Sequence, residues 1–360
     1  MAPKHQIVRN YIEERINRGD IKPGDPIPGE LELSRELDVS RNTIRHALDQ
    51  LSRRYDIERT RGRGTIYHGE HKALTTSAVV GFINSSIIYT IYPEMIHGLE
   101  QGLFTGGYSM LLANGNYDPE KEVEALRRML SQGVSGIIAE PMFSSRLTEE
   151  SEFVRILNAS SVPVLTTNCI VPGLTGAYVT MDDFWIGRRA AEHLAAAGHR
   201  RIGCIYKADP DAGHLRADGF RLGLRSAKVP VDESLIVEYT QDDEASIPGA
   251  VFTQQLLDNP DPPTAIFYFN DQIALQAYAF LHDAGLSIPR DLSLIAVDNI
   301  DEAARARPGL TTFSHPKELM GRLAGDMMLR QLRDGGEASE FGLVMKPPLV
   351  ERGSVGAPPR

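Results

Sequence analysis

From Ala78 to about residue 352, short β-branched apolar runs alternate with longer stretches that carry apolar residues at helical spacing. This alternation constrains the fold more than any other feature of the 360-residue chain. AVVGFI, YSMLLAN, VSGIIAEP, VPVLTTN, AYVTMD, RIGCIY, LIVEYT, TAIFYFN and LSLIAVD read as strands. PEMIHGLEQGLF, EKEVEALRRMLSQG, FWIGRRAAEHLAAAG, HLRADGFRLGLRSA and DQIALQAYAFLHDAG read as the helices between them, several stopped by a glycine. Strands alternating with crossover helices make parallel sheets, so the pattern predicts α/β architecture. A stretch of this length exceeds what one sheet covers well, and two doubly wound lobes are expected over residues 78–352.

In such sheets ligands bind beyond the carboxyl ends of the strands. Those ends are polar and aromatic here. Ser85 to Tyr92, with Tyr89 and Tyr92, follow the first strand, and Glu140 ends IIAEP. Asp182 and Asp183 end YVTMDD, Lys207 to Arg216 follow RIGCIY, Asn270 and Asp271 end FYFND, Asp298 and Asn299 end IAVDN, and His315 ends TTFSH. Carboxylates, an amide and an arginine beside aromatic rings suit a neutral polyol or sugar, which needs paired hydrogen bonds to adjacent hydroxyls and a flat apolar face. Each residue also has an ordinary reading. An aspartate at a strand end is as often a helix N-cap; Arg216 can be a salt-bridge partner, His315 a loop residue, and Trp185 a packing residue.

The first 70 residues follow a different pattern. Ile7, Tyr11, Ile12 and Ile16 mark one amphipathic helix, GELELSREL a second, and RNTIRHALDQLSRR a third, with Ser40 placed as its N-cap. The second and third form a helix-turn-helix. Arg41, Asn42, Thr43 and Arg45 lie near the start of the third helix, where a recognition helix needs donors to bases and phosphates. Two short strand patterns then flank Arg61-Gly62-Arg63-Gly64, which reads as a β-hairpin wing with a basic tip. Charge follows the same division. Residues 1–76 hold 14 Lys and Arg against 12 Asp and Glu, whereas the other 284 hold 24 against 36.

Residues 4–67, above all KPGDPIPGELELSRELDVSRNTIRHALDQL and RTRGRGTIY, resemble the GntR-type winged-helix domain. The resemblance implies DNA contacts from Arg41, Thr43 and Arg45 in the recognition helix and from Gly62, Arg63 and Gly64 in the wing. Leu31 stands where many members carry arginine. The remainder resembles the LacI/GalR-type effector domain over nearly all of 78–350, through GHRRIGCIY, HLRADGF, PTAIFYFNDQIAL, GLSIPRDLSLIAVDN and LTTFSHPKELMG. That resemblance implies sugar contacts from Arg216, Asn270 and Asp298. The pairing of these two domains, with YTIYPEMIHGLEQ, IIAEPMFS, AGHLRADGF and FSHPKELMG, is similar to the arabinose-responsive transcriptional repressor group. That similarity adds Glu140, His315, Tyr89 and Tyr92 to the pocket and implies an L-arabinose effector.

These readings predict a winged helix-turn-helix domain over 1–70, a linker over 71–77, a two-lobed effector-binding domain over 78–352 and a disordered tail over 353–360. The function expected is a sugar-responsive repressor, a homodimer on operator DNA. The N-terminus lacks an apolar targeting segment, no apolar run approaches membrane-span length, and Cys169 and Cys204 form no CxxC pair, so a cytoplasmic protein without membrane partners is expected. No metal-ligand spacing and no cofactor motif is visible. A sugar-processing enzyme with an accessory DNA-binding head is the rival reading, but GxGxxG after the first strand, Walker A, HExxH and GxSxG are all missing. A secreted solute-binding protein would leave residues 1–70 unexplained.

Overall fold

The computed structural model describes residues 4–51, 55–60, 64–70, 78–87, 90–333 and 341–359. The chain divides into two compact units, Met1–Ser77 and Ala78–Arg360.

The first unit runs α1 (Lys4–Asn17), β1 (Pro26–Ile27), α2 (Glu30–Glu36), α3 (Arg41–Leu51), β2 (Tyr55–Thr60) and β3 (Gly64–Glu70). Its core joins Val8 and Ile12 of α1, Leu33 of α2, and Ile44, Leu48 and Leu51 of α3, with Tyr55 and Tyr67 packed edge-to-face from the hairpin. Ser40 caps α3 as its position suggests, its Oγ accepting from the Thr43 amide at 3.2 Å. β2 and β3 pair antiparallel, and β1 adds a third strand on the far side of β3. The wing tip, Arg61 to Arg63, lies outside the described residues.

The second unit contains β4 (Val79–Asn84), α4 (Tyr92–Phe104), β5 (Ser109–Asn114), α5 (Pro119–Ser131), β6 (Gly136–Glu140), α6 (Glu152–Ala159), β7 (Val164–Thr167) and β8 (Ala177–Met181). It continues through α7 (Asp183–Ala196), β9 (Ile202–Lys207), α8 (Asp211–Ser226), β10 (Ile236–Tyr239), α9 (Pro248–Leu257), β11 (Ala265–Tyr268) and α10 (Asp271–Asp283). The last elements are β12 (Ser293–Val297), α11 (Asp301–Arg305), β13 (Thr311–Phe313), α12 (Lys317–Arg333), β14 (Gly342–Met345) and β15 (Leu349–Val350). Two six-stranded sheets result, ordered β14-β8-β7-β6-β4-β5 and β10-β9-β11-β12-β13-β15. Every pairing is parallel except β13 with β15. The nine strands read from the sequence are all present.

The chain passes between the lobes three times: from β8 into α7, from β13 into α12, and from β14 into β15. Each lobe therefore packs a helix that its own run of strands did not supply. In the first lobe, α12 lies against α4 so closely that glycines stand at the contact; a Cβ on Gly98 or Gly321 would collide with the carbonyl oxygen of Glu318 or Met95. In the second, Gly187 of α7 and Gly219 of α8 meet the carbonyls of Arg216 and Phe184 in the same manner. The crossings are tied together, with Asp182 N donating to Met345 O at 2.8 Å and Ser314 N donating to Pro348 O at 2.9 Å.

One expectation is corrected here. Residues 353–359 are not a loose tail. Ser354 is fully buried, its Oγ donating to Leu294 O at 2.6 Å and accepting from Thr311 N at 2.8 Å, while Gly356 O faces Nε2 of His199 at 3.0 Å. The segment satisfies backbone groups of β12 and β13 that would otherwise lack partners, a role its Gly/Pro composition does not announce.

Candidate functional site

A cavity lies between the two lobes, enclosing ≈ 770 Å³ of space with its mouth included. Of the residues expected to hold a ligand, Tyr92, Glu140, Asp183, Arg216, Asn270, Asp298 and His315 line it. Tyr89 lies outside the described residues. Asp182 is not among the residues that line the cavity: its carboxylate accepts from the Trp185 amide at 2.9 Å as the N-cap of α7 and faces Lys346 at 3.7 Å. Of two adjacent acids, the first caps the helix and the second, one residue on, enters the site.

The second lobe supplies a buried cation. Arg216 projects from α8, its Nε donating to Asp183 Oδ1 at 2.8 Å and its Nη1 to Phe269 O at 2.5 Å, with the guanidinium carbon 4.7 Å from the centre of the Phe269 ring. Asn270 caps α10, its Oδ1 accepting from Ile273 N at 3.0 Å. Asp298 and Asn299 both hold positive φ, 116° and 52°, a conformation that costs non-glycine residues energy and concentrates at functional positions. Six bonds hold that turn: Asp298 N donates to Phe313 O, Asn299 N to Thr312 Oγ1, Ile300 N to Asp271 and Asn299 Nδ2 to Ser314 Oγ, while Lys317 Nζ and Arg352 Nη2 donate to Asn299. Burial pushes the Asp298 carboxyl up to about 8, with Asp271 adding to the effect and Arg216 and Lys317 opposing it.

The first lobe supplies an acid held from all sides. Glu140 Oε1 accepts from the Tyr92 hydroxyl at 2.8 Å and from Asn168 Nδ2 at 3.1 Å, and Oε2 accepts from Thr167 Oγ1 at 2.9 Å. Burial raises this carboxyl to about 7 against the pull of those three donors. His315, in the crossing between β13 and α12, is pushed down to about 3 by burial and by the cations Lys317 and Arg216, so it stays neutral near pH 7. The wall thus sets a few polar groups, an arginine paired with Asp183, a lysine, Lys207, paired with Glu244 at 2.6 Å, and an uncharged histidine, among apolar surface from Ile91, Met142, Met181 and Phe269.

Asn168, Tyr117 and Phe269 also line the cavity and were not singled out in the sequence. Asn168 ends VPVLTTN, so the strand-end rule that found Glu140 applies equally to it. Tyr117 sits in a turn where it and Asn116 both have left-handed φ, 57° and 52°, with the Lys207 ammonium from the other lobe 5.6 Å from its ring centre. No pattern in the sequence distinguishes that turn from a surface loop.

In the first unit, Arg41, Asn42 and Arg45 are exposed along the start of α3, and Thr43 is half-buried. Arg45 is held by Glu30 of α2 at 2.9 and 3.1 Å, and the Leu31 side chain beside it is exposed. Gly64 opens β3 opposite Thr60 at the base of the hairpin tip. Arg61, Gly62 and Arg63 fall outside the described residues.

Comparison with known proteins places both halves. Residues 4–66 match the bacterial regulatory proteins of the gntR family, and residues 191–355 match the periplasmic binding protein-like domain. An arabinose metabolism transcriptional repressor of Geobacillus stearothermophilus is 29% identical over 355 residues, 98% of this chain and 97% of the relative. The HTH-type transcriptional regulator DegA of Bacillus subtilis is 31% identical over 277 residues, 77% of this chain and 80% of that one. Among solved structures, a LacI family transcriptional regulator from Enterococcus faecium with bound ribose superposes with a TM-score of 0.68 at 26% identity, covering 78% of this chain and 100% of that chain. The chain belongs to the bacterial helix-turn-helix transcriptional regulators, with a GntR-type head on a LacI-type, periplasmic-binding-protein-like body.

Proposed function

We propose that this regulator is a cytoplasmic, sugar-responsive repressor, and that L-arabinose or a closely related monosaccharide releases it from operator DNA. The observation that carries the reading is the interlobe cavity. Its acids are buried and raised, its two cations, Arg216 and Lys207, are paired with Asp183 and Glu244, and its histidine is neutral, which favours an uncharged polyol over a phosphate or a carboxylate. Arabinose is preferred among sugars because relatives of that description match the chain along almost its whole length. Tyr92, Glu140, Asp183, Arg216, Asn270, Asp298 and His315, with Tyr89, form the ligand set. Arg41, Asn42, Thr43 and Arg45 of α3 read the operator, with Arg61, Gly62, Arg63 and Gly64 as the wing. A homodimer presents two heads to a two-fold operator.

Sugar acts by binding the DNA-incompetent form better than the competent one, so operator DNA weakens sugar binding by the same factor, roughly 5- to 150-fold for such coupling. No catalytic role is assigned. Both oxygens of Glu140 are occupied by protein donors, and no helix among the described residues is long and apolar enough to cross a membrane. Thermal unfolding against pentoses, hexoses and their phosphates tests the reading, since a ligand specific to the folded state raises the midpoint. A rise with L-arabinose that also releases operator DNA supports it. A rise with phosphorylated sugars alone, or turnover of any sugar, overturns it.

A further inference from the structure

His315 is 4% exposed, and its Nε2 lies 3.1 Å from Asn168 Oδ1. An amide oxygen only accepts, so Nε2 carries the proton. The amide is oriented by Asn168 Nδ2, which donates at 3.1 Å to Glu140 Oε1, an oxygen that also accepts from the Tyr92 hydroxyl at 2.8 Å. With Glu140 ionised, reversal would set oxygen against oxygen there and nitrogen against the protonated ring nitrogen at the other end. A neutral imidazole protonated at Nε2 has a bare acceptor at Nδ1. Nδ1 of His315 is buried and has no hydrogen-bond partner among the described residues, although the residue lines the cavity. A buried polar atom without a partner is costly, and that cost is relieved when a ligand supplies one.

Asn168 itself lies in the left-handed region, which asparagine tolerates better than most residues. At its φ of 55° glycine would sit more easily still, yet glycine has no amide to pass on. Tyr92, Glu140, Asn168 and His315 form one chain of hydrogen bonds that starts on α4 of the first lobe and ends in the crossing between β13 and α12.

We propose that Asn168 is a positioning residue that sets the tautomer of His315, making Nδ1 a dedicated acceptor for one hydroxyl of the effector. This rests on reading the cavity as a sugar site and adds a selection rule to it. At the position facing Nδ1 the site takes a group that donates a hydrogen bond and rejects the deoxy analogue, which leaves Nδ1 unpaired. Discrimination of this kind is much stronger than that from shape alone.

The first test needs no ligand. Full-length protein labelled with ¹⁵N-histidine, with His315 assigned by its loss in His315→Gln, reports which ring nitrogen is protonated. The Nε2–H form is expected in the wild type. Asn168→Gly removes the amide at a backbone conformation glycine favours, and a mixture of tautomers is expected. Asn168→Asp still accepts from Nε2 but adds an anion and cannot donate to Glu140, so a gain of charge on the ring is expected. An Nδ1–H wild type, or a pure Nε2–H form persisting in Asn168→Gly, overturns the proposal. The second test titrates L-arabinose and its single-position deoxy analogues. One analogue should bind at least about tenfold worse than the others to the wild type, a margin that shrinks to about threefold or less in Asn168→Gly. An unchanged margin also overturns the proposal. Failure of L-arabinose itself to bind the wild type overturns the proposed effector instead, and the tautomer measurement, made without ligand, still decides the role of Asn168.

Discussion

Arg216 and Asp183 form an ion pair at 2.8 Å inside the cleft, with side-chain exposures of 5% and 3%. The pair spans the start of α7 and the middle of α8, two helices whose backbones touch at Gly187 and Gly219. Its geometry leaves the rest of the guanidinium to Phe269 O and the cavity. Burial raises the Asp183 carboxyl even though Arg216 pulls it down, so desolvation outweighs the partner.

Removing the arginine alone strands a buried carboxylate. Arg216→Ala is expected to lower stability by about 3–5 kcal/mol, the usual cost of breaking a buried pair, and to abolish the sugar-dependent rise in unfolding midpoint. Operator binding by the sugar-free protein should persist at temperatures below the lowered midpoint. Calorimetry of the variant with and without sugar checks the first two points, and a gel-shift titration the third. A preserved sugar response would remove Arg216 from the ligand set.

Asp298 makes a pH prediction with a definite sign. An aspartate ionises near 4 in the unfolded chain, but at about 8 in the folded one. Between those values the native state keeps a proton that the unfolded state has lost, so the contribution is full below about pH 4 and is lost as pH rises toward 8. Asp298→Asn removes this dependence. The stability of the variant relative to wild type should therefore climb from about pH 4 to about pH 8 and level off above. Paired denaturant melts across that range read the difference, in which the effects of Glu140 and His315 common to both proteins largely cancel. A difference flat with pH would mean that Asp298 is ionised throughout.

Much of this site is legible in the sequence because sheet topology does the sorting. Once the strands are assigned, Glu140, Asn270 and Asp298 fall at their carboxyl ends without further information. What remains hidden depends on geometry finer than the strand pattern. Asp182 and Asp183 are chemically identical neighbours, and only the N-cap bond to Trp185 separates them. Asn168 acquires its role through a left-handed backbone and a partner, His315, 147 residues away. The helix α12 lies on the first lobe although the strands on either side of it, β13 and β14, belong to different sheets, an interleaving that local periodicity does not carry. The buried Ser354 looked like tail because glycine and proline around it suggest freedom, while its hydroxyl closes gaps in β12 and β13.

The lobes are also joined where no crossing runs. Ser145, after β6, has its hydroxyl within donating distance of Ala208 O at 2.9 Å and Asp209 O at 2.8 Å, and Asp211 N donates to Ser144 Oγ at 3.0 Å. Arg146 lies 3.4 Å from the buried Asp209. Ser145 does not line the cavity. If these bonds form only in the closed cleft, Ser145→Ala removes about 1 kcal/mol or slightly more from that state. Sugar affinity should then fall about 3- to 10-fold by a shift in population, with unchanged preference among sugars. Isothermal titration with two or more sugars separates this from a pocket defect. A changed rank order would place Ser145 in recognition and refute a clasp.

The close approach of α7 and α8 supplies the last prediction. A Cβ on Gly187 would overlap the carbonyl oxygen and carbon of Arg216, which are backbone atoms and cannot rotate away. Alanine there must push the helices apart, and Asp183 and Arg216 ride on those two helices. Gly187→Ala is thus expected to cost about 1–3 kcal/mol from overpacking, and more if the ion pair is stretched. Because the pair positions the guanidinium, sugar affinity should fall by more than the change in stability accounts for at a temperature where the variant is fully folded. Gly107→Ala is the control: that glycine has left-handed φ of 80° with no atom within 4 Å of its Cβ position, so the substitution strains the backbone but leaves the site untouched. Equal sugar affinity in the two alanine variants would show that the helix contact does not set the site.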